Sequence, residues 1–440
     1  MIKVAKFGGT SLADATQFKK VHDIVKDDEE RKFVVVSAPG KRFKDDNKIT
    51  DLLYLTYAHL KYSVPYAPVL KLIEDRFNLI KEELNLSIDL EHEFEIIRKK
   101  LDDKCEEDYI VSRGEYLSAL LIADYLQCDF IDAKDVIFFK YDGNIDKKKT
   151  QEKLAEVLGK SKKAIIPGFY GSYPDGSIKT FSRGGSDITG SIIASAAKAD
   201  MYENWTDVSG FLMADPRIVK NPQQIKKITY QELRELSYMG ASVLHDEAVF
   251  PVRQAGIPIN IKNTNDPENP GTIIVGDDQA DENYENPNII TGIAGKKNFT
   301  VFYVHKEHMA NEVGVIKKAL EIFEGKGISI EHIPSGIDSF SIVVPTESVE
   351  KLTHEIVEEL KTKLMTQSVK THKNLSLIST VGIGMAYKPG ISAKLFNALG
   401  ENNVNIRMID QGSSEINIIV GVEDKDFEKA IRAIYNAFVK

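Results

Sequence analysis

The sequence predicts an α/β protein: a layered domain on a mainly parallel sheet, followed by a smaller module built from a repeated β-α-β-β-α unit. Three observations carry this. Short, continuous apolar runs such as Phe33-Val34-Val35-Val36 and Ala164-Ile165-Ile166-Pro167-Gly168-Phe169 alternate with stretches of helical period over the first two-thirds of the chain. Such runs read as strands buried on both faces, and a sheet covered on both faces by helices is typically parallel. An acidic, polar segment at 276–288, poor in large apolar residues, has linker composition. Beyond it the same order of elements occurs twice.

The first element, Lys3-Val4-Ala5-Lys6-Phe7, is a short strand that ends in Gly8-Gly9-Thr10-Ser11. Paired glycines let backbone N–H groups approach a phosphate, and the following helix presents its positive end to it. Lys6 adds a mobile point charge beside them. The pattern is neither G-x-x-x-x-G-K-[ST] nor G-x-G-x-x-G, so by itself it is equally a plain strand-to-helix turn. Residues 33–37 form the next strand, and Ser37-Ala38-Pro39-Gly40 follows it where α/β sheets carry ligand loops. Residues 42–112 are charged and helix-rich, which suggests a helical insertion or lid. Leu117 to Leu126 and Ile188 to Ala199 have helical period. Tyr202-Glu203-Asn204-Trp205 fits a strand, and Thr229-Tyr230-Gln231-Glu232 is a capping box that opens a helix.

After the linker, strands are expected at Phe299–His305, Ile328–Ile333 and Phe340–Val344, with helices at Val313–Glu324 and Val349–Leu364. The second copy places strands at Leu375–Val381, Val404–Ile409 and Ile416–Val420, with helices at Ile391–Leu399 and Asp426–Phe438. It ends without a fourth strand, and Ile289–Ile293 could fill that gap and interlock the copies. The expected divisions are 1–280, 289–370 and 371–440.

The length, 440 residues, favours two or three domains, and 42% hydrophobic with 28% charged residues is a globular composition. A net charge of −9 with scattered Lys and Arg argues against a nucleic-acid partner. Cys105 and Cys128 have no metal-ligand spacing and are too few for a disulfide framework, which points to a reducing, cytoplasmic compartment. The N-terminus enters a strand at once, without signal-peptide character. No apolar run approaches the roughly 18 residues that span a bilayer.

Three further stretches can carry chemistry. In Ser182-Arg183-Gly184-Gly185-Ser186-Asp187, Arg183 can hold a carboxylate bidentately while the glycines and Ser186 supply N–H groups at a helix start. A bare N-capped helix would not need Arg-Gly-Gly as well. Thr206-Asp207-Val208-Ser209-Gly210-Phe211 with Asp215-Pro216-Arg217 is either a nucleotide loop or an ordinary turn. In Ser112-Arg113-Gly114-Glu115, Glu115 either pairs with an ammonium or is a solvated first-turn residue.

Taken in order, these motifs resemble the aspartate kinases of the amino-acid kinase superfamily. The resemblance rests on Lys6 to Ser11, Arg113-Gly114-Glu115, Ser182 to Asp187, Thr206 to Gly210 with Asp215-Pro216-Arg217, and Met239-Gly240-Ala241-Ser242-Val243-Leu244-His245. It covers essentially the whole chain and leaves no room for the homoserine dehydrogenase fused in some relatives. It implies a three-layer kinase fold and paired, ferredoxin-like ACT regulatory domains. The implied reaction is ATP-dependent phosphorylation of the β-carboxylate of L-aspartate, the first step of lysine, threonine and methionine biosynthesis, with feedback by end-product amino acids.

By the same resemblance Lys6 and Asp187 are catalytic, and Thr50, Glu115, Phe169, Arg183 and Ser186 bind aspartate. ATP is held by Lys6, Gly8, Gly9, Ser11, Thr206, Asp207, Leu212, Asp215 and Arg217, with Mg²⁺ carried mainly by phosphate oxygens. No separate metal site is implied. Met309, Gly314, Val315, Ile316, Ser329, Ile330 and Glu331 form an effector pocket for lysine, threonine or both. A homodimer or dimer of dimers paired through the C-terminal repeats is expected. Two departures concern the nucleotide: Ser242 stands where many relatives have Lys, with Lys262 a candidate substitute, and Leu212 stands where some have an aromatic ring. His245 is expected to be structural. The competing readings are a related kinase acting on glutamate, acetylglutamate or a nucleoside monophosphate, and a catalytically dead amino-acid sensor.

Overall fold

The computed structural model describes residues 1–182, 184–240, 244, 246–277 and 289–439. They pack as two units. The first comprises Met1–Phe211, Lys226–Tyr230 and the described part of 243–281; the second comprises Leu212–Ile225 and the described parts of 231–242 and 282–440. Residues 212–225 and 231–240 thus pack with the C-terminal half, so the division lies elsewhere than a single cut near residue 280.

In the first unit the strands are β1 (Lys3–Phe7), β2 (Arg31–Val36), β3 (Asp129–Phe130), β4 (Ala164–Pro167), β5 (Tyr170–Ser172), β6 (Ile178–Thr180), β7 (Met201–Thr206), β8 (Lys227–Thr229), β9 (Ile259–Asn263) and β10 (Thr272–Val275). Eight of them form one sheet in the order β3-β4-β2-β1-β7-β9-β10-β8, while β5 and β6 make a separate hairpin. Every pair in the large sheet is parallel except β9 with β10. The chain leaves β1 toward β2 on one side, and β7 returns on the other, so the sheet's direction of progress reverses between β1 and β7. A reversal of this kind marks the usual ligand position in such sheets, at the carboxyl ends of the two strands.

Strand alternation sorts the side chains into layers. Ala5, Phe7, Val34, Val36, Ile165 and Trp205 share one buried cluster with helices α1 (Ala15–Asp27), α2 (Ile49–Lys61), α3 (Ala67–Leu84), α4 (Leu90–Asp102), α5 (Glu107–Val111) and α6 (Arg113–Leu126). The helices expected between 42 and 112 are therefore α2 to α5, and they belong to this packed layer rather than forming a detached lid. The opposite face is covered by α7 (Lys147–Leu158), α8 (Gly185–Ala196) and α10 (Phe250–Gln254). Helix α9 (Tyr230–Tyr238) lies between β8 and α10 in the chain. Helix α1 illustrates the local cause: Asp14 caps it by accepting from the Gln17 amide at 2.9 Å, and Phe18, Val21 and Val25 recur on its buried face.

The helix-covered face that carries Trp205 also holds a buried ion pair. Arg31 donates to Glu203 at 2.7 and 3.3 Å and to the Ile24 carbonyl at 2.6 Å, and Trp205 Nε1 donates to Glu203 at 2.9 Å. Lys262, in register with Trp205, sets its ammonium 5.0 Å from the indole centroid. Burial holds its pKa below the usual lysine value.

The second unit carries β11 (Gly292–His305), β12 (Ser339–Pro345), β13 (Ser368–Val381), β14 (Met408–Asp410) and β15 (Asn417–Glu423) in the order β12-β11-β13-β15-β14. Its helices are α11 (Val315–Glu324), α12 (Thr346–Val349), α13 (Thr353–Leu364), α14 (Ile391–Glu401) and α15 (Phe427–Phe438). Strands β11 and β13 have 14 residues each and pair antiparallel from Gly292↔Val381 to His305↔Ser368, so one sheet runs through both repeats. The strand expected at Ile328–Ile333 does not form. That stretch is irregular and pairs with β12 only through the bridge His332↔Val343, while Ile330 and Ile333 pack against the apolar cluster that β12 shares. Its second-copy counterpart shrinks to Met408–Asp410. Both segments lie beside an outer strand of the sheet and pair with it only over a short stretch.

Replacing Arg31 by Met strands the Glu203 carboxylate in the core, and removing one partner of a buried pair typically costs about 3–5 kcal/mol. Arg31→Met is expected to lower the denaturant midpoint followed by fluorescence of Trp205, the one tryptophan. Arg31→Met with Glu203→Gln should recover part of the loss. An unchanged midpoint in the single variant would refute this assignment.

Candidate active site

Strand alternation turns Lys6 away from the Phe7 face and toward α8. Its Nζ lies 2.7 Å from Asp187 Oδ1, in the first turn of that helix. Asn204, in register with Lys6 on β7, donates through Nδ2 to the same oxygen at 2.9 Å. Tyr202, on the same face, donates its hydroxyl to the Asp187 carbonyl at 3.3 Å. Lys6 is 7% exposed. A carboxylate thus fixes a nearly buried ammonium at the end of β1, and an amide fixes the carboxylate.

The Gly8–Gly9 turn stands directly above. A Cβ built on Gly8 would lie 3.6 Å from Lys6 Nζ, so the ammonium sits beside this turn. A Cβ on Gly9 would meet the Ala38 carbonyl at 2.9 Å, and one on Gly40 would meet Gly9 backbone at 2.7 Å. The loops after β1 and β2 therefore pack backbone to backbone, and the Gly40 amide donates to the Gly9 carbonyl at 2.7 Å. Only glycine allows this approach.

At the start of α8, Ser186 is buried, and a Cβ on Gly168 would fall 2.6 Å from its hydroxyl. Phe169 has φ 78°, left-handed for a bulky residue. Its amide donates to Thr189 Oγ1 at 3.1 Å, and its ring would collide with any Cβ on Gly185. Strained backbone held this firmly is characteristic of ligand sites. On the other side of the glycine turn, α6 begins so close to Ala38 that a Cβ on Gly114 would lie 2.7 Å from the Ala38 methyl and 3.3 Å from Ile49. Thr50 follows at the start of α2. Glu115 is buried, and its Oε2 has no hydrogen-bond partner. Burial pushes its pKa up to about 8, against the opposing pull of the Ala38 and Glu115 backbone amides and of Arg113.

Thr206 ends β7, with its hydroxyl 3.2 Å from Asp207. The Ser11 hydroxyl is buried and shares a 2.7 Å hydrogen bond with Thr264. Arg183, Ser242 and His245 lie outside the described residues. Lys262 corrects an expectation: it sits on the Trp205 face of the sheet, opposite Lys6, with its charge against the indole. It does not replace a lysine at position 242.

Leu212, Asp215 and Arg217 belong to the second unit. Leu212 is partly exposed, and Arg217 donates to Asp215 at 2.6 Å; that guanidinium holds the Asp215 carboxyl below its usual range. In the same unit Ser329, Ile330 and Glu331 line a cavity of about 750 Å³ together with His332 and Asp410. Glu331 is hydrogen-bonded by Tyr238 and keeps Oε2 unpartnered, and His332 Nδ1 lies 2.6 Å from Asp410. Met309 and Val315 are packed in the apolar core, while Gly314 starts α11 with φ 85° and Ile316 follows in its first turn. These four do not line that cavity.

Sequence reasoning passed over Asn204, Arg76 and Asp46. Asn204 had a signal, an amide inside an otherwise buried strand. Arg113, singled out in the sequence, has no carboxylate partner among the described residues; its guanidinium sits 4.7, 4.4 and 5.5 Å from the rings of Tyr109, Tyr116 and Tyr170.

Residues 1–263 match the amino acid kinase family, and residues 378–438 match an ACT domain. Aspartokinase 3 of Bacillus subtilis (strain 168) is 39% identical over 99% of this chain and 98% of its own. The aspartate kinase of Clostridium acetobutylicum superposes with a TM-score of 0.92 at 55% identity over 99% of both chains. Aspartokinase III of E. coli, 26% identical, is similar in its complex with aspartate and ADP (TM-score 0.70, 99% of both chains) and in its complex with lysine and aspartate (TM-score 0.74, 100% of both). The chain spans about half the length of the bifunctional aspartokinase/homoserine dehydrogenases it also matches, 51% in the carrot enzyme. The chain therefore belongs to the amino acid kinase family, and within it to the aspartokinases. No helix among the described residues is long and apolar enough to cross a membrane.

The raised pKa of Glu115 has a signed consequence for the free protein. Its folded value, about 8, lies above the model-peptide 4.5, so the folded state holds a proton that the unfolded state has lost. The stability this contributes is present below pH 4.5 and falls away as pH rises to 8. Glu115→Gln should raise the unfolding midpoint near pH 8 relative to wild type and leave it little changed near pH 5. Parallel midpoint-against-pH curves for the two proteins would contradict a buried, protonated Glu115.

Proposed function

We propose that this aspartokinase transfers the γ-phosphoryl group of ATP to the β-carboxylate of L-aspartate, forming 4-phospho-L-aspartate. The observation that carries the reading is the Lys6–Asp187–Asn204 set beside a glycine turn at the point where the sheet reverses. A carboxylate nucleophile is already ionised at pH 7, so no general base is required. What remains is positioning and neutralisation of charge on the transferring group. Lys6 would meet the phosphoryl oxygens, together with N–H groups around Gly8 and Gly9. Asp187 keeps the ammonium aimed, with Asn204 holding the carboxylate in place.

The backbone cradle and the single ammonium suit a polyphosphate. ATP supplies the phosphoryl group, and a divalent metal such as Mg²⁺, carried on its oxygens, would supply further neutralisation. Thr206 and Asp207 would contact the nucleotide, with Ser11 bracing the turn through Thr264; Leu212, Asp215 and Arg217 are the further nucleotide residues that the family resemblance implies. Arg183 would clamp the α-carboxylate of aspartate and Glu115 its ammonium, with Thr50, Phe169 and Ser186 completing the lining. Pairing with an ammonium would draw the Glu115 proton off. In the C-terminal unit, the cavity beside Ser329, Ile330 and Glu331 would take the end-product effector, lysine or threonine. Glu331 would face its ammonium; Met309, Gly314, Val315 and Ile316, which the family resemblance also implies, lie around the start of α11, at the other end of the helix from that cavity. A cytoplasmic homodimer or dimer of dimers is the assembly we infer from the family.

The test is coupled ADP release with aspartate against glutamate, run on wild type, Lys6→Ala and Arg183→Ala. Aspartate is expected to be the better substrate. Lys6→Ala should cut kcat by about a hundredfold or more while shifting the aspartate KM little, and Arg183→Ala should mainly raise that KM. Equal, minor effects from both changes would refute the assignments. Isothermal titration with lysine and with threonine tests the effector; binding of neither would remove it.

A further inference from the structure

We propose that Arg76, from helix α3, is a positioning residue for phosphoryl transfer that locks the two glycine loops in their working arrangement. The proposal rests on the reading that the Gly8–Gly9 turn holds phosphate. Arg76 lies on the apolar stripe of α3 between Ile73, Phe77 and Ile80 and is 6% exposed. A guanidinium in that position is costly unless fully engaged.

Its engagement is divided. One nitrogen, Nη2, donates to both carboxylate oxygens of Asp46 at 2.9 and 2.8 Å and approaches the Asn47 carbonyl at 3.4 Å. The other, Nη1, donates to the carbonyls of Gly40 at 3.2 Å and Ala13 at 3.3 Å. Gly40 is the residue stacked on Gly9, and its amide donates to the Gly9 carbonyl. Ala13 closes the turn Gly9–Leu12 at its far end. Arg76 therefore holds the loop after β1 and the loop after β2 by one backbone carbonyl each, on either side of their contact.

Asp46 is itself fixed. Arg42 donates to it through the backbone amide at 3.0 Å and through Nε and Nη2 at 2.9 and 3.0 Å. These hydrogen bonds and the nearby Arg76 charge hold its carboxyl well below the ordinary range. An ion pair alone would need only Nη2 and Asp46. The second nitrogen, spent on two carbonyls of the glycine loops, points to loop geometry as the purpose. A lysine would offer one point charge and could not make the same fork.

The experiment measures steady-state kinetics and thermal unfolding of Arg76→Lys, Arg76→Ala, Lys6→Met and a control, Arg98→Lys. Arg98 lies on α4 and pairs with Glu74 at 2.5 Å and with Glu91, away from both loops. Small misplacement of a reacting group costs up to about a hundredfold in rate. Arg76→Lys is expected to lose about ten- to a hundredfold in kcat with less than about a threefold change in aspartate KM. Millimolar guanidinium should restore turnover of Arg76→Ala, and Arg98→Lys should keep wild-type kcat. Wild-type kcat in Arg76→Lys beside an inactive Lys6→Met would overturn the proposal and leave the phosphate reading intact. An active Lys6→Met would overturn the reading beneath it. Should Arg76→Ala not fold, Arg76→Lys decides: a kcat loss matched by an equal rise in KM, or an equal kcat loss in Arg98→Lys, means general loosening and refutes a positioning role.

Discussion

The ion pair between Lys6 and Asp187 organises the catalytic half of this protein. A charged ammonium that is nine-tenths buried needs a partner and a defined direction. Asp187 supplies the partner, and Asn204 restrains Asp187. The three come from β1, α8 and β7, elements that meet where the sheet changes its direction of progress. Parallel pairing sets Lys6 opposite Asn204, and the helix preceding β7 delivers Asp187 above them. Shifting either strand by one residue would turn its member of the set to the other face of the sheet.

The division between the two faces follows the same alternation. One face carries Phe7, Trp205 and the Arg31–Glu203 pair, all packed beneath helices. The other carries Lys6, Asn204 and Tyr202 toward α8. Two lysines on strands separated by β7 thus have different fates. Lys6 lies near the carboxyl end of β1 against Asp187, whereas Lys262 is used against an indole on the far side. Residue type alone does not distinguish them; register does.

Much of the first unit was legible in the sequence because its signals are local. Continuous apolar strands, a glycine turn after the first strand and the Gly184-Gly185-Ser186 start of α8 each declare themselves within a few residues. The pairing of Asn204 with Asp187, and the grip of Arg76 on loops 36 and 63 residues away, depend on tertiary placement and leave no local trace. Lys262 failed as a substitute for the same reason, since its orientation depends on strand register. In the second unit, Ile328–Ile333 has strand-like composition, yet the segment stays irregular. Strand propensity is decided by tertiary context, and here only the bridge at His332 pairs with the outer edge of β12.

Strands β11 and β13 cross from one repeat into the other without a connecting loop. At about 3.3 Å per residue each runs roughly 45 Å, so the repeats have a common backbone where most tandem modules have a tether. Midway the pairing register shifts between Lys296 and Val301, where Asn298 and Asn374 take left-handed φ of 69° and 61°, so each long strand turns from one repeat into the other while its chain stays continuous. The evolutionary corollary is that neither copy can be deleted, exchanged or recombined with a foreign one without severing both long strands. The pair is inherited as a single part.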